Sequence, residues 1–371
     1  MTTNIVKADE KNLKQFINFP YELYKDEPLW IGEVKMDVKH MLTEYPFWDH
    51  ADKQLFLAYQ DGRVAGRIAA VINRVHNEKW NEKCGMFGFF DCIDDEEVSS
   101  ALFAAAKNWL KQRGMEFIRG PFNPSINHIC GLLTEDFSNE PFIMMPYNFP
   151  YYEKLVKAAG FEKVKDLLAF ERNKYDKFST RFEKIIQRAS RGQNNIVMRP
   201  LDVKNLEREA MIVRDIYNAA WAQNWGSLPV SEDEMAELAK QLKMVVNKKL
   251  TCVAEVDGVP AGFYICLPNL NRVLKILKGS LWNPVRIARA LLAWRKIRDT
   301  RLVMLGVIPE YRKRGLDLLL IKHIVEGGVA AGYDMSEMSW LLEDNLNIIN
   351  VVKECGGREM KRRYRIFQST L

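Results

Sequence analysis

Residues 58–73 read AYQDGRVAGRIAAVIN, and residues 254–269 read AEVDGVPAGFYICLPN. Both follow A-x-x-D-G-x-x-A-G and both end in Asn, at an offset of 196 residues. A second pair sits at the same offset: Lys157 and Gly160 in YYEKLVKAAGFEKV match Lys353 and Gly356 in LNIINVVKECGGREM. Two separate matches at one spacing indicate a duplicated module. In each copy the Asp-Gly pair between apolar runs specifies a tight hairpin, because both turn residues tolerate positive φ.

The same order of elements can be read outward from each hairpin. An amphipathic helix precedes it, in NLKQFINFPYELYKD and in LEREAMIVRDIYNAAWAQNW. A third strand follows, GMFGFFDC or RLVMLGV, then a helix ending in Gly. Another strand (EFIRG or MSEMSWLL), a helix ending at Gly160 or Gly356, and a last strand (LLAFER or RYRIFQ) complete each copy. Helices over a sheet with a central parallel step predict an α/β fold of two modules with mixed central sheets, related by internal duplication. The expected boundaries are residues 1–175 for the first module, 176–195 for a linker and 196–371 for the second.

Bulk properties exclude other classes. A chain of 371 residues, 47% hydrophobic and 27% charged, has the composition of a globular protein of about two domains. No apolar run reaches the ~20 residues of a membrane helix, and MTTNIVKADEKNLKQF lacks the apolar core of a secretory signal. The six cysteines form no C-x-x-C pair and read as reduced thiols of a cytoplasmic protein. The five histidines do not pair with cysteines or with each other at ligand spacing, so no metal site is expected. Residues 272–301 hold nine Lys or Arg and one acid, a net +8 out of the whole-chain +6, which leaves −2 for the rest. One basic element does not make a nucleic-acid coat, and DNA is not an expected partner.

The stretch GVIPEYRKRGLDLLLIKHIVEGG, residues 306–328, places cations and a glycine between a strand and a helix. A helix start exposes unpaired amides and a partial positive charge. Gly315 would let a phosphate approach the backbone, and Arg312 and Arg314 could add bidentate contacts. The alternative is a cationic loop on a solvated face. In the first copy the same place reads CIDDEEVSS: Asp94, Asp95, Glu96 and Glu97 satisfy the helix dipole themselves and would repel a diphosphate. One anion site, in the second module, is therefore expected.

This order of elements, with its strand-loop-helix junction, resembles the GNAT superfamily of acyl-CoA-dependent N-acyltransferases, and the whole chain resembles tandem-GNAT bacterial proteins. The resemblance implies acyl transfer, most simply acetyl, from acetyl-CoA or another acyl-CoA to a primary amine of a small molecule. The family's Q/R-x-x-G-x-G/A loop maps onto Arg312, Lys313, Arg314, Gly315, Leu316 and Asp317. Asp317 departs from it: a carboxylate ~5 Å from a phosphate costs roughly 3 kcal/mol at an effective dielectric of ~20. It would otherwise turn outward toward Arg314 or Lys313, or help cap the helix.

The resemblance also implies an oxyanion-type backbone donor at the end of the third strand, around Leu305-Gly306-Val307. It implies a general base, for which Glu343 and Asp344 come first and Glu337 second; each also reads as a solvated or capping residue. Asn345 would bond the pantetheine arm or cap the next helix. The family's usual tyrosine acid is replaced by Val352; Tyr364 is a substitute candidate, against a reading as a core strand residue. Asn218, Trp221, Asn224 and Trp225 fall where the family lines its acceptor site, and equally where a helix end packs its tryptophans. The long segment from Gly120 to Tyr152 is expected to form a lid or cleft wall.

The insert 272–301 has three readings: a cover over the sheet that presents cations to coenzyme phosphates, a helix on an anionic membrane surface, or a grip on tRNA. The last would suit a Fem-like aminoacyl-tRNA-dependent transferase. A non-catalytic acyl-CoA or ligand-binding protein is the other alternative to an enzyme.

Overall fold

The two Asp-Gly turns form as their sequence requires. Asp61 and Gly62 have φ of 50° and 75°, and Asp257 and Gly258 have 53° and 78°. That double positive φ matches the right-handed twist of the flanking strands. The computed structural model describes residues 2–190, 195–312 and 314–371. The chain divides into two compact units: Met1–Leu167 with Asn271–Leu292 and Lys361–Leu371, and Leu168–Leu270 with Ala293–Met360.

Unit 1 opens with β1 (Thr3–Ala8), α1 (Leu13–Leu23) and α2 (Lys35–Thr43), then the hairpin β2 (Ala51–Gln60) and β3 (Arg63–Asn73). It continues with α3 (Arg74–Trp80), β4 (Cys84–Cys92), α4 (Glu96–Lys111) and β5 (Phe117–Gly120). Three short strands, β6 (Phe122–Asn123), β7 (Ile129–Cys130) and β8 (Leu132–Glu135), lead to α5 (Tyr152–Ala158) and β9 (Glu162–Asn173). Strands β1 to β4 are antiparallel neighbours, and β5 pairs parallel to β4. The far side of β5 is taken by Phe117–Gly120 pairing with Phe367–Thr370. The core lies between this sheet and α4, whose Val98, Leu102, Phe103, Ala106 and Leu110 repeat at helical spacing and are buried.

Unit 2 holds α6 (Thr180–Ser190), β10 (Ile196–Arg199), α7 (Leu206–Trp221), α8 (Glu232–Leu242) and the hairpin β11 (Thr251–Val256) and β12 (Val259–Pro268). Helices α9 (Asn271–Leu277) and α10 (Pro284–Trp294) follow; residues 271–292 count with unit 1. Then come β13 (Asp299–Val307), α11 (Leu316–Ala330), β14 (Met335–Leu342), α12 (Leu346–Glu354) and β15 (Arg358–Thr370). The strand order is β9-β14-β13-β12-β11-β10, with β13 and β14 parallel. Leu250, Cys252, Ala254, Tyr264, Leu316, Leu320 and Ile324 form its main core.

The duplication reaches the register. A bulge falls between Ala58 and Tyr59 in one hairpin and between Ala254 and Glu255 in the other, at the same offset as the sequence repeat. Gly66 lies under Leu102 of α4, and Gly262 lies under Leu320 of α11; a Cβ would meet those side chains at 2.7 and 3.0 Å. Glycine is needed there so that the helix can close on the sheet. Gly160 and Gly356, both at φ above 80°, end α5 and α12.

Two expectations change. The segment expected as a lid or cleft wall is packed within unit 1, as a wall and not a mobile lid would be: Ile126, Phe142 and Met145 are buried, and Asn148 bonds both backbone groups of Leu133 at 2.8 and 3.1 Å. Apolar side chains in a Pro- and Asn-rich loop served packing, with Asn148 satisfying the buried backbone. The strand closing each repeat in sequence order also differs, because residues 361–371 count with unit 1 and 168–173 with unit 2.

Candidate functional site

In unit 2 the parallel pairing of β13 with β14 runs from Asp299–Met335 to Leu302–Met338 and stops. Beyond it β13 continues to Val307 and β14 to Leu342, so the two strands part while β12 still holds β13 as far as Val307. This opening lies at the carboxyl ends of parallel strands, where α/β sheets bind ligands. From Val303 onward β13 is no longer paired with β14.

The floor of the opening is set by Gly306. A Cβ there would meet the Trp221 ring at 2.5 Å and Ala220 Cβ at 3.2 Å. Trp221 in turn stacks on Tyr217, with centroids 4.5 Å apart. Asn218 accepts from Val230 N at 2.9 Å and donates to Val230 O at 3.1 Å, so its amide closes the loop after α7. Asn224 turns that loop through its backbone, and Trp225 is half-buried beside it. Of the expected acceptor residues, Trp221 meets the strand end, whereas Asn218 has a structural partner.

Arg312 is spent on the backbone. Its Nε donates to Val307 O at 3.2 Å and its Nη2 to Ala220 O, tying the end of β13 to the end of α7. Arg314 lies with its guanidinium over the Tyr311 ring, 5.3 Å from the centroid. Gly315 has φ of 77° and stands at the N-cap of α11, where it has no side chain to cap the first-turn amides. A Cβ on Gly315 would meet Ala189 of α6 at 2.7 Å, so the glycine also serves the approach of α6. Leu305 is half-buried, and Val307 and Leu316 are buried in the core, which leaves only their backbone for any ligand. Asp317 is half-buried in the first turn. Lys313 lies outside the described residues.

Of the base candidates, Glu337 is buried opposite Arg301 in the strand register. Arg301 donates through Nε to Ser339 Oγ at 2.9 Å and through Nη2 to Ser339 O at 2.8 Å, and Ser339 Oγ donates to Glu337 Oε1. This network sits where the strands begin to part, and sequence reasoning missed Arg301 and Ser339 because only the register unites them. Glu343 is half-buried and Asp344 exposed, just past the end of β14. Asn345 caps α12, accepting from Ile348 N at 3.4 Å. Val352 is packed with Phe170, Met338 and Ile349. Tyr364 falls in the part of β15 that belongs to unit 1, opposite Leu133, and is fully buried; the core-strand reading describes it.

Unit 1 is built differently at the equivalent places. Its parallel pairing stops at Met86–Arg119, but the opening is filled by its own chain. Asn123 Oδ1 accepts from Phe89 N at 2.6 Å, and a Cβ on Gly88 would meet Phe122 O at 1.7 Å. At the helix start Asp95 accepts from Glu97 N at 2.8 Å and Val98 N at 3.2 Å. Burial opposes ionisation of Asp95, but hydrogen bonds from Gln60 and those two amides hold its pKa below the usual range.

One group bears on metals. His76, Glu82 and Cys84 bring ligand atoms within 4.8 Å of one another, although the sequence suggested no such pairing; α3 and its turn do this. Arg119 already donates to both oxygens of Glu82, at 3.1 and 3.3 Å, and burial pushes the Cys84 thiol up to about 12. A guanidinium-bound carboxylate and a protonated thiol are poor cation ligands. All six cysteines are free and buried.

A mixed sheet parting at its parallel step and followed by a helix, present in two copies of which the second has a glycine at the helix start, defines the GNAT N-acyltransferase fold in tandem. A solved structure, the tandem GNAT protein from the clavulanic acid biosynthesis pathway, superposes with a TM-score of 0.57 over 100% of this chain and 98% of its own, at 12% identity. No protein-family model matches the chain. Protein YghO of Escherichia coli (strain K12) is 35% identical over 98% of this chain and 94% of its own length. The bacterial ceramide synthase of Caulobacter vibrioides (strain NA1000 / CB15N) is 35% identical over 97% of this chain and 95% of its own. The chain belongs to the family of these two proteins, and its fold is that of the GNAT proteins.

Proposed function

We propose that unit 2 is the catalytic half of an acyl-CoA-dependent N-acyltransferase whose acceptor is a long-chain primary amine. The observation that carries this reading is the contrast between the units: one opening is filled by Asn123 and one helix start is capped by Asp95, while the counterpart helix starts at Gly315, which has no side chain to cap it. Between Val303 and Gly306, past the end of its pairing with β14, the edge of β13 offers backbone groups to an amide-bearing pantetheine arm, as a strand would receive a peptide. The start of α11, with Arg314 nearby, suits the diphosphate.

When bound, the coenzyme supplies a thioester carbonyl. The acceptor nitrogen forms a bond to that carbon, the carbon–sulfur bond breaks, and the electron pair leaves with the thiolate. Glu343, half-buried past the end of β14, is the base assigned to the amine proton. A backbone amide between Leu305 and Val307 is assigned to the developing oxyanion. Val352 stands where the resemblance implies a tyrosine acid on α12, and a thiolate can depart unprotonated.

The acceptor follows from the relative named a ceramide synthase. A ceramide is the amide of a fatty acid with a long-chain amino alcohol. That shifts the expected donor from acetyl-CoA toward fatty acyl-CoA, and the acceptor from a small soluble amine toward a lipid amine.

The test is thiol release from acetyl-CoA and from a long-chain acyl-CoA, with and without a long-chain amino alcohol, alongside mass spectrometry of the amide. Release that requires both long-chain partners is expected, without dependence on tRNA. Binding of acyl-CoA with no thiol released for any amine would make the chain a silent binding module.

A further inference from the structure

We propose that α10 and the turn leading into it, residues 281–296, form a docking surface for an anionic lipid bilayer. The first half of the insert does what a covering element should. Asn271 Nδ2 donates to Pro141 O at 2.6 Å, Lys275 pairs with Glu140, and Gly279 O accepts from Lys35 N at 3.1 Å. A Cβ at Gly279 would meet the Tyr21 ring at 2.4 Å. This anchors α9 and the following turn firmly within unit 1.

The second half turns its apolar side chains outward. Trp282 is 91% exposed, Val285 66%, Leu291 60% and Leu292 61%, while Ala290 is buried. At 100° per residue, Val285, Ala288, Leu291 and Leu292 share one face of α10, and Ile287, Ala290 and Trp294 the other. A helix that merely covers a core buries its apolar stripe and shows water a polar one. Here one stripe is used inward and a second is left facing out.

The flanks of that outward face are cationic. Arg289, Arg295 and Lys296 are exposed around it, and residues 272–298 contain no Asp or Glu. An apolar face with an aromatic at its edge and cations beside it is the composition of a helix lying in a headgroup layer. The eleven residues of α10 span about 16 Å, far short of a bilayer core. Accordingly, no helix among the described residues is long and apolar enough to cross a membrane. An RNA groove would need donors and stacking faces where Val285, Leu291 and Leu292 stand. A two-fold pair of copies would bring identical cations against each other.

The experiment is vesicle flotation of the full chain without substrate, on phosphatidylcholine alone and on phosphatidylcholine with phosphatidylglycerol. Binding to the anionic vesicles, weakening with salt, is expected. Leu291→Glu with Leu292→Glu should abolish it, and Arg289→Glu or Lys296→Glu should weaken it about fivefold or more, since each cation near an anionic surface contributes about that factor. These positions are exposed, so thermal melting and light scattering should show an unchanged fold and oligomeric state. No flotation at low salt, equal binding to neutral vesicles, or a Leu291/Leu292 variant that changes oligomeric state while still floating would overturn the proposal. No substrate is present, so this result and that of the acyl-transfer assay are independent.

Discussion

Asn123 presents its side-chain carbonyl to the amide of Phe89 at 2.6 Å, in the place where the strands of unit 1 part. A side chain thus occupies the position that an incoming carbonyl would take. Together with Asp95 on the helix start, it is the ground on which the proposed function assigns acyl-CoA to unit 2 alone. The expected stoichiometry is one coenzyme per chain by titration calorimetry. Asn123→Ala should not add a second site but should cost about 1–3 kcal/mol, because it orphans a buried amide. A second bound equivalent in the parent protein would refute the assignment.

Gly306 has little room for change. Its missing side chain admits the Trp221 ring. Gly306→Val should displace that ring from the strand end, destabilise the fold by about 1–3 kcal/mol, and lower kcat/KM at least tenfold. Gly306→Ala, the smaller intrusion, should fall between. Turnover by Gly306→Val equal to the parent's would remove the strand end from the reaction site.

Some of this was legible in the sequence and some was not, for physical reasons. The Asp61-Gly62 and Asp257-Gly258 turns are local events, so four residues suffice to read them. The strand MSEMSWLL coincides with β14 because β propensity and flanking breaks agree there. Strands β1 and β10 were missed: each is short and carries no turn signal of its own. Arg312 looked like a phosphate ligand because its neighbours are basic, but its acceptors, Val307 O and Ala220 O, are set by tertiary packing. Glu337 looked like a base, yet the register of β13 against β14 sets Arg301 opposite it. The periodicity of α10 shows which residues share a face, but not which face meets water.

Asp166 ties the end of unit 1's chain to its sheet. It is buried and accepts from Arg365 Nε at 2.7 Å and Nη2 at 3.1 Å, from Arg363 Nη1 at 3.3 Å, and pairs with Lys163 at 2.8 Å. Burial raises the carboxyl's pKa, but the hydrogen bonds from Arg365 and Lys163 overcome it and hold the group below its ordinary value. A depressed folded value means that the unfolded chain takes up the proton first as pH falls. The stabilisation is therefore complete above the unfolded value of about 3.9 and is lost as pH drops through the folded value. Asp166→Asn should cost about 3–5 kcal/mol near neutrality. The gap in melting temperature between variant and parent should close below about pH 4. A gap that stays constant with pH would show that charge is not what Asp166 contributes.

Arg312 and Arg314 stand two residues apart and should fail in different ways. Arg312 holds Val307 O and Ala220 O together, so its removal frees two carbonyls and loosens α7 from the end of β13. Arg312→Ala should lower stability by about 1–3 kcal/mol and depress kcat, with Arg312→Lys recovering little, because an ammonium cannot reproduce two directed contacts from one planar fork. Arg314 is exposed, with its guanidinium over Tyr311 beside the start of α11. Arg314→Ala should leave melting unchanged within about 0.5 kcal/mol and raise KM for acyl-CoA about tenfold, as expected for one charge-assisted contact to a phosphate. That KM effect should shrink as salt rises, since the contact is solvent-exposed. If the two variants instead share one phenotype, with KM alone raised and melting intact, Arg312 is a phosphate ligand after all and its backbone contacts are incidental.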